Sequence, residues 1–170
     1  MSLIGWLKGN RLVDVTEQDP LPVQQQGAIA MRTADTLIAI TQFVPTTGRT
    51  LLTDLQVGDT DLYGSTASEQ PTLVGTGKYR GITVFLAFTT SDTYHYRVYG
   101  RATDPNGEPF VSGWAVVKEG TFTSVPANGR ARIDIGYTNP QEAYYDQYRI
   151  VVARASSGTA DTYAKVIGVR

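Results

Sequence analysis

The 170-residue chain contains no cysteine and a single histidine, His95. The first absence excludes disulfide staples, thiolate nucleophiles and cysteine-based zinc or iron–sulfur sites. The second excludes metal centres built on several histidines. It also ties any Ser–His–Asp arrangement to His95, and no Gly-x-Ser-x-Gly elbow is there to support one. A phosphate cradle is missing too, because Gly75-Thr76-Gly77-Lys78 lacks the six-residue spacing that wraps a phosphate. The formal net charge of −1 gives no drive towards nucleic acid or a membrane surface. Long hydrophobic runs are absent: residues 1–10 (MSLIGWLKGN) are too short an apolar stretch for a signal peptide or an anchor. The expectation is a protein made soluble in the cytosol.

Charge is unevenly spread. Residues 1–77 carry four basic and eight acidic side chains, and residues 78–170 carry eleven and eight. Helical periodicity is scarce, while alternation of the kind that strands require is plentiful. Ile82, Val84, Leu86 and Phe88 alternate along residues 79–89, as do Tyr94, Tyr96 and Val98 along the next run. His95, Arg97, Tyr99 and Arg101 then face the other way, His95 on the outside. Asp104-Pro105-Asn106-Gly107 is a turn, with proline placed to start it and Asn-Gly able to take positive φ. Residues 110–119, centred near Trp114, and 121–125 read as further strands. So do residues 130–137, with Ile133, Ile135 and Tyr137 on one face, and residues 145–154 and 163–169. Before these, residues 36–43 form a strand, residues 28–35 include a short helical turn, residues 50–57 form a weak strand, and residues 58–77 are mostly loop.

About seven strands joined by turns predict an all-β fold, an antiparallel β-sandwich or jelly-roll-like domain. No connection leaves room for a crossover helix, which excludes a parallel βαβ sheet. The domain spans residues 28–170, with the membership of residues 28–77 open, and an extended N-terminal arm spans residues 1–27.

Candidate chemical groups are few, and each has a bland counterpart. His95 reads as a surface position rather than a base. Asp54, Asp59 and Asp61, and Asp104 with Glu108, resemble calcium loops in composition, but not in the alternate spacing such loops need; turn chemistry accounts for them. Asp134 shares a face with Arg132, which suggests an ion pair rather than a poised acid. The tyrosines cluster at Tyr94, Tyr96 and Tyr99 and at Tyr137, Tyr144, Tyr145 and Tyr148, with Arg97, Arg101, Arg149 and Arg154 nearby. Three roles are open to them: filling the core and its rim, forming a subunit interface, or presenting a platform to a ligand such as carbohydrate. Tyr94, Tyr96, Tyr99, Arg97 and Arg101 are the candidate interface or ligand face. No catalytic, cofactor or metal residues are assigned.

The arm holds the remaining candidates. Residues 12–27 (LVDVTEQDPLPVQQQG) contain Pro20 and Pro22, which fix φ, remove donors and hold their neighbours extended. Ordering such a strap costs about 1–2 kcal/mol per residue in backbone entropy, so a partner surface must compensate. Trp6, Leu12, Val13, Val15, Pro20, Leu21, Pro22 and Val23 are the contact residues expected to do so, with strand addition by residues 12–16 as the mode. Val13-Asp14 followed by Pro20-Leu21-Pro22-Val23 resembles the extended openings of many tailed-bacteriophage virion proteins. That resemblance implies a structural virion protein, a capsid decoration (cement) or neck-collar component, not an enzyme and without a cofactor. Its partners would be other virion proteins and further copies of itself. The alternative is a carbohydrate-binding host-recognition module of a tail or fibre.

Overall fold

The computed structural model describes residues 33–110 and 113–170, and in the N-terminal segment the backbone of β1 (Gly5–Lys8) and β2 (Arg11–Asp14). These two strands pair antiparallel, with Trp6 opposite Val13 and Leu7 opposite Leu12. Where the sequence suggested a single extended strap, the chain pairs with itself, so Leu12 and Val13 already have one strand neighbour. Val15, Pro20, Leu21, Pro22 and Val23 lie outside the described residues, as do residues 28–32 of the stretch where a helical turn was expected; the rest of that stretch is extended, with Ala34 and Asp35 already in a strand.

The compact unit Thr33–Arg170 has eight strands in two four-stranded antiparallel sheets. They are β3 (Ala34–Phe43), β4 (Leu73–Val74), β5 (Gly81–Phe88), β6 (Asp92–Arg101), β7 (Ala115–Val125), β8 (Arg130–Ile135), β9 (Gln147–Arg154) and β10 (Thr162–Val169). The first sheet runs β3-β10-β5-β8 and the second β4-β9-β6-β7. Pairing therefore joins β3 to β10, β4 to β9, β5 to β8 and β6 to β7: one long antiparallel ribbon, rolled up. This is jelly-roll topology, and it makes the unit the β-sandwich that the strand count implied.

Period-two alternation places the core. Ile82, Val84, Leu86 and Phe88 of β5 are all buried, facing Tyr94 and Val98 of β6 and Tyr148, Ile150 and Val152 of β9. Phe88 stacks on Tyr94 with ring centroids 4.0 Å apart, and Tyr96 stacks on Phe122 at 5.0 Å. Tyr148 donates its hydroxyl to the Glu142 carbonyl at 2.6 Å; burial pushes its pKa up to about 12.

Two local expectations are corrected and a third holds. Residues 50–57 form no strand: Leu52–Asp54 is a 3-10 turn whose entry is held by the Asp54 carboxylate, which accepts from the Leu51 amide at 2.9 Å. The two strands expected between residues 110 and 125 are one, β7, and Trp114 stands just before it. Gly120 lets the strand run through: it pairs with Tyr96, whose hydroxyl lies 2.6 Å from where a Cβ would stand. The Asp104–Gly107 turn forms as expected, with the Gly107 amide donating to the Asp104 carbonyl and φ at +84°.

Asp92 and Arg154 fasten the corner where the chain, having left β5 of the first sheet, begins β6 and where β9 ends, as a buried pair at 2.8 Å. Burial by itself would raise the Asp92 pKa, but bonds from Arg154, the Thr93 amide and Ser156 outweigh it and hold the pKa below the usual carboxylate value. A depressed folded-state pKa contributes stability that is present above the unfolded value, about 4, and is lost as pH falls below it. Denaturation midpoints measured at pH 6 and pH 3 should therefore drop for the wild type. Asp92→Asn, already weakened at pH 6, should drop less over the same interval.

Candidate interaction surface

The two outer faces of the sandwich differ in kind. On the second sheet, β9 alternates Tyr148, Ile150 and Val152 into the core with Arg149, Val151 and Ala153 outwards, yet all six are buried. The cover is the irregular chain between β3 and β4, residues 44–72. It runs along β9 through isolated bridges from Thr46 to Ala153 and from Asp61 to Val151. Leu55 and Val57 pack with Tyr99, Val151, Ala153 and Trp114.

A segment with so little regular structure has carbonyls that need donors. Side chains of the second sheet supply them. Arg149, fully buried, donates from Nε to the Val57 carbonyl at 2.6 Å and from its terminal nitrogens to those of Asp59, Ser65 and Gln70 at 2.8–3.0 Å. It also reaches the Asp61 carboxylate at 3.5 Å. Burial lowers its pKa, and the charges of Asp61 and Asp59 oppose that effect. Arg97 donates to the Leu52 and Leu55 carbonyls and to Glu119. Arg101 bonds Gln147 and Glu69 and lies over the Trp114 ring at 4.1 Å, while Trp114 donates to the Ser68 carbonyl.

The assigned interface or ligand face therefore does not form. Tyr94 is inside the core and donates to the Thr90 carbonyl; Tyr96 packs against the same core from its rim. Tyr99, Arg97 and Arg101 point the opposite way, beneath or beside the covering segment. His95, expected outside, is buried with them: Nδ1 lies 2.8 Å from the Thr121 hydroxyl and Nε2 3.3 Å from the Thr50 carbonyl. Asp59 accepts from Arg49 and the Gln56 amide. Asp61 accepts from the amides of Tyr63 and Ser65 and from the Thr72 hydroxyl, which is turn and anchor chemistry. Arg132 and Asp134 form the anticipated ion pair at 2.9 Å. Among the described residues no group of three or more His, Asp or Glu side chains is placed to hold a metal ion, and no helix is long and apolar enough to cross a membrane.

The outer face of the first sheet has no such cover among the described residues. The alternation that sends Leu86 and Phe88 inwards sends Phe85 and Ala87 outwards. Phe85 stands between Lys165 of β10 and Arg132 of β8, and Ala87 between Tyr163 and Arg130. Ile40 of β3 completes the surface, 74% exposed, with Phe85 at 42% and Tyr163 at 38%. Together they line a shallow, almost wholly apolar groove of about 330 Å³, rimmed by Arg130 and Lys165. Sequence reasoning named none of these residues as a site. The available signal was Phe85 itself, an aromatic in the outward register of a strand whose inward register was already apolar.

No protein family, curated protein or solved structure matches this chain.

Proposed function

We propose that this is a structural protein of a tailed-phage virion, of the capsid-decoration or neck-collar kind. It would work by binding neighbouring virion proteins through its N-terminal arm and the exposed face of its first sheet. The observation that carries this reading is the asymmetry of the sandwich. One outer face is sealed by the chain's own residues 44–72, and the other presents Ile40, Phe85 and Tyr163 to solvent. Exposed apolar surface rimmed by polar groups marks sites of protein contact. Jelly rolls serve both capsid and lectin proteins, so the fold alone does not choose between them. The carbohydrate-binding alternative loses the Tyr94, Tyr96 and Tyr99 face assigned to it, because Tyr94 and Tyr99 are buried and Tyr96 is packed at the core rim, and it keeps only Tyr137 and Tyr144 as exposed rings of the second cluster.

The reading predicts that the protein is present in purified phage particles. It also predicts that a chain lacking residues 1–26, whose compact unit keeps its own core, does not attach to them. Probing particles by immunoblot checks both. Absence of the intact protein from particles overturns the reading, and attachment that survives the truncation removes the arm from it.

A further inference from the structure

We propose that the apolar groove on the first sheet is the seat for residues 17–23 (EQDPLPV) of a second copy of this chain. The inference rests on the reading of the protein as an assembly component and names the surface through which copies would meet. Three observations on the molecule select this occupant. First, the groove is lined by aromatic rings, Phe85 and Tyr163, beside Ile40. Grooves of that kind take proline-held extended segments, because such segments lose little entropy on docking. Pro20-Leu21-Pro22-Val23 is the proline-bearing apolar stretch of the arm.

Second, the charges are complementary. Arg130 and Lys165 stand at the rim and form no ion pair among the described residues, whereas Arg132 is engaged by Asp134. Glu17 and Asp19 lie immediately before Pro20. Docking two such faces directly on each other would set cations against cations, which costs affinity. An acidic segment entering the same groove neutralises them. Third, every copy has one segment and one seat, so the contact can be repeated between identical subunits and closed by symmetry.

Sedimentation equilibrium of the full-length chain over a range of concentrations tests this. The wild type should self-associate. Reversing the seat (Arg130→Glu with Lys165→Glu) or the segment (Glu17→Lys with Asp19→Lys) should weaken association about tenfold or more. The variant with all four changes should recover most of the loss. Arg130 and Lys165 are exposed on the outer face, and circular dichroism confirms that each variant keeps its fold. A wild type that stays monomeric at about 100 μM, well above the micromolar range of a specific contact, overturns the inference. Unaltered association in either double variant, or no recovery in the fourfold one, also overturns it. Failure here is distinguishable from failure of the proposed function: a monomeric protein found in particles removes only the seat. An oligomer that responds to these substitutions but is absent from particles removes only the virion role.

Discussion

Replacing Arg149 by leucine is expected to destabilise the protein by about 3–5 kcal/mol, the range for breaking a buried charge pair by removing one partner. The reason lies in what remains behind. Arg149 is fully buried, and its guanidinium gives donors to four carbonyls of residues 57–70 as well as to Asp61. Leucine would fill part of the volume but would leave those carbonyls without partners and Asp61 with an uncompensated charge, although Asp61 keeps its bonds from Tyr63, Ser65 and Thr72. Arg149→Lys should recover only part of the loss, since an ammonium has three donors against five and cannot span the fork. Urea unfolding gives the magnitude. Limited proteolysis adds the location, because cleavage within residues 44–72 should appear in the leucine variant before the body of the sandwich is cut. Equal stability of wild type and Arg149→Leu would mean that the covering segment is not held by this side chain.

The second large effect is expected at Phe88, and its neighbour Phe85 supplies the contrast. Phe88→Ala should cost about 3–5 kcal/mol, the usual loss for truncating a buried phenylalanine. Its ring is 1% exposed and stacks on Tyr94 at the centre of the core, so the gap has few ways to collapse. Phe85→Ala, three residues earlier on the same strand, removes a ring that is 42% exposed on the outer face. Its cost should be far smaller, of the order of 0.5 kcal/mol, as for surface substitutions away from special features. Thermal and chemical unfolding of the two variants side by side check the difference. A large loss at Phe85 would show that this ring is held as core and would weaken the case for a free docking face.

Alternation in β5, β6 and β8 was legible because a strand buried on one face writes its orientation into a two-residue period. Ile82, Val84, Leu86 and Phe88 need no partner to reveal which way they point. The Asp104–Gly107 turn was legible for a similar reason: proline and Asn-Gly carry their φ preferences with them. The unbroken run Ile150-Val151-Val152-Ala153 was a missed signal, since a strand apolar in both registers is covered on both faces. His95 and Arg97 looked like outward positions because nothing in their own strand announces that residues 50–55, some forty positions earlier, will lie over them. Trp114 and β7 were misplaced for a related reason. Gly120 reads as a break in sequence, and only the Tyr96 ring opposite explains it as a continuation.

By itself, then, the sequence determined the all-β class, the run of antiparallel strands and the facing register of β5, β6 and β8, since these follow from local periodicity and turn chemistry. It also placed the arm's prolines and acids, whose sense depends only on their order. Tertiary structure alone decided which sheet would be sealed and which left open. That choice depends on where residues 44–72 fold back and on the donors that Arg97, Arg101 and Arg149 hold out to their carbonyls, contacts between positions separated by as many as ninety-two residues. Long-range hydrogen bonding of an irregular segment has no sequence period, and so the groove at Ile40, Phe85 and Tyr163 came into view only with the fold.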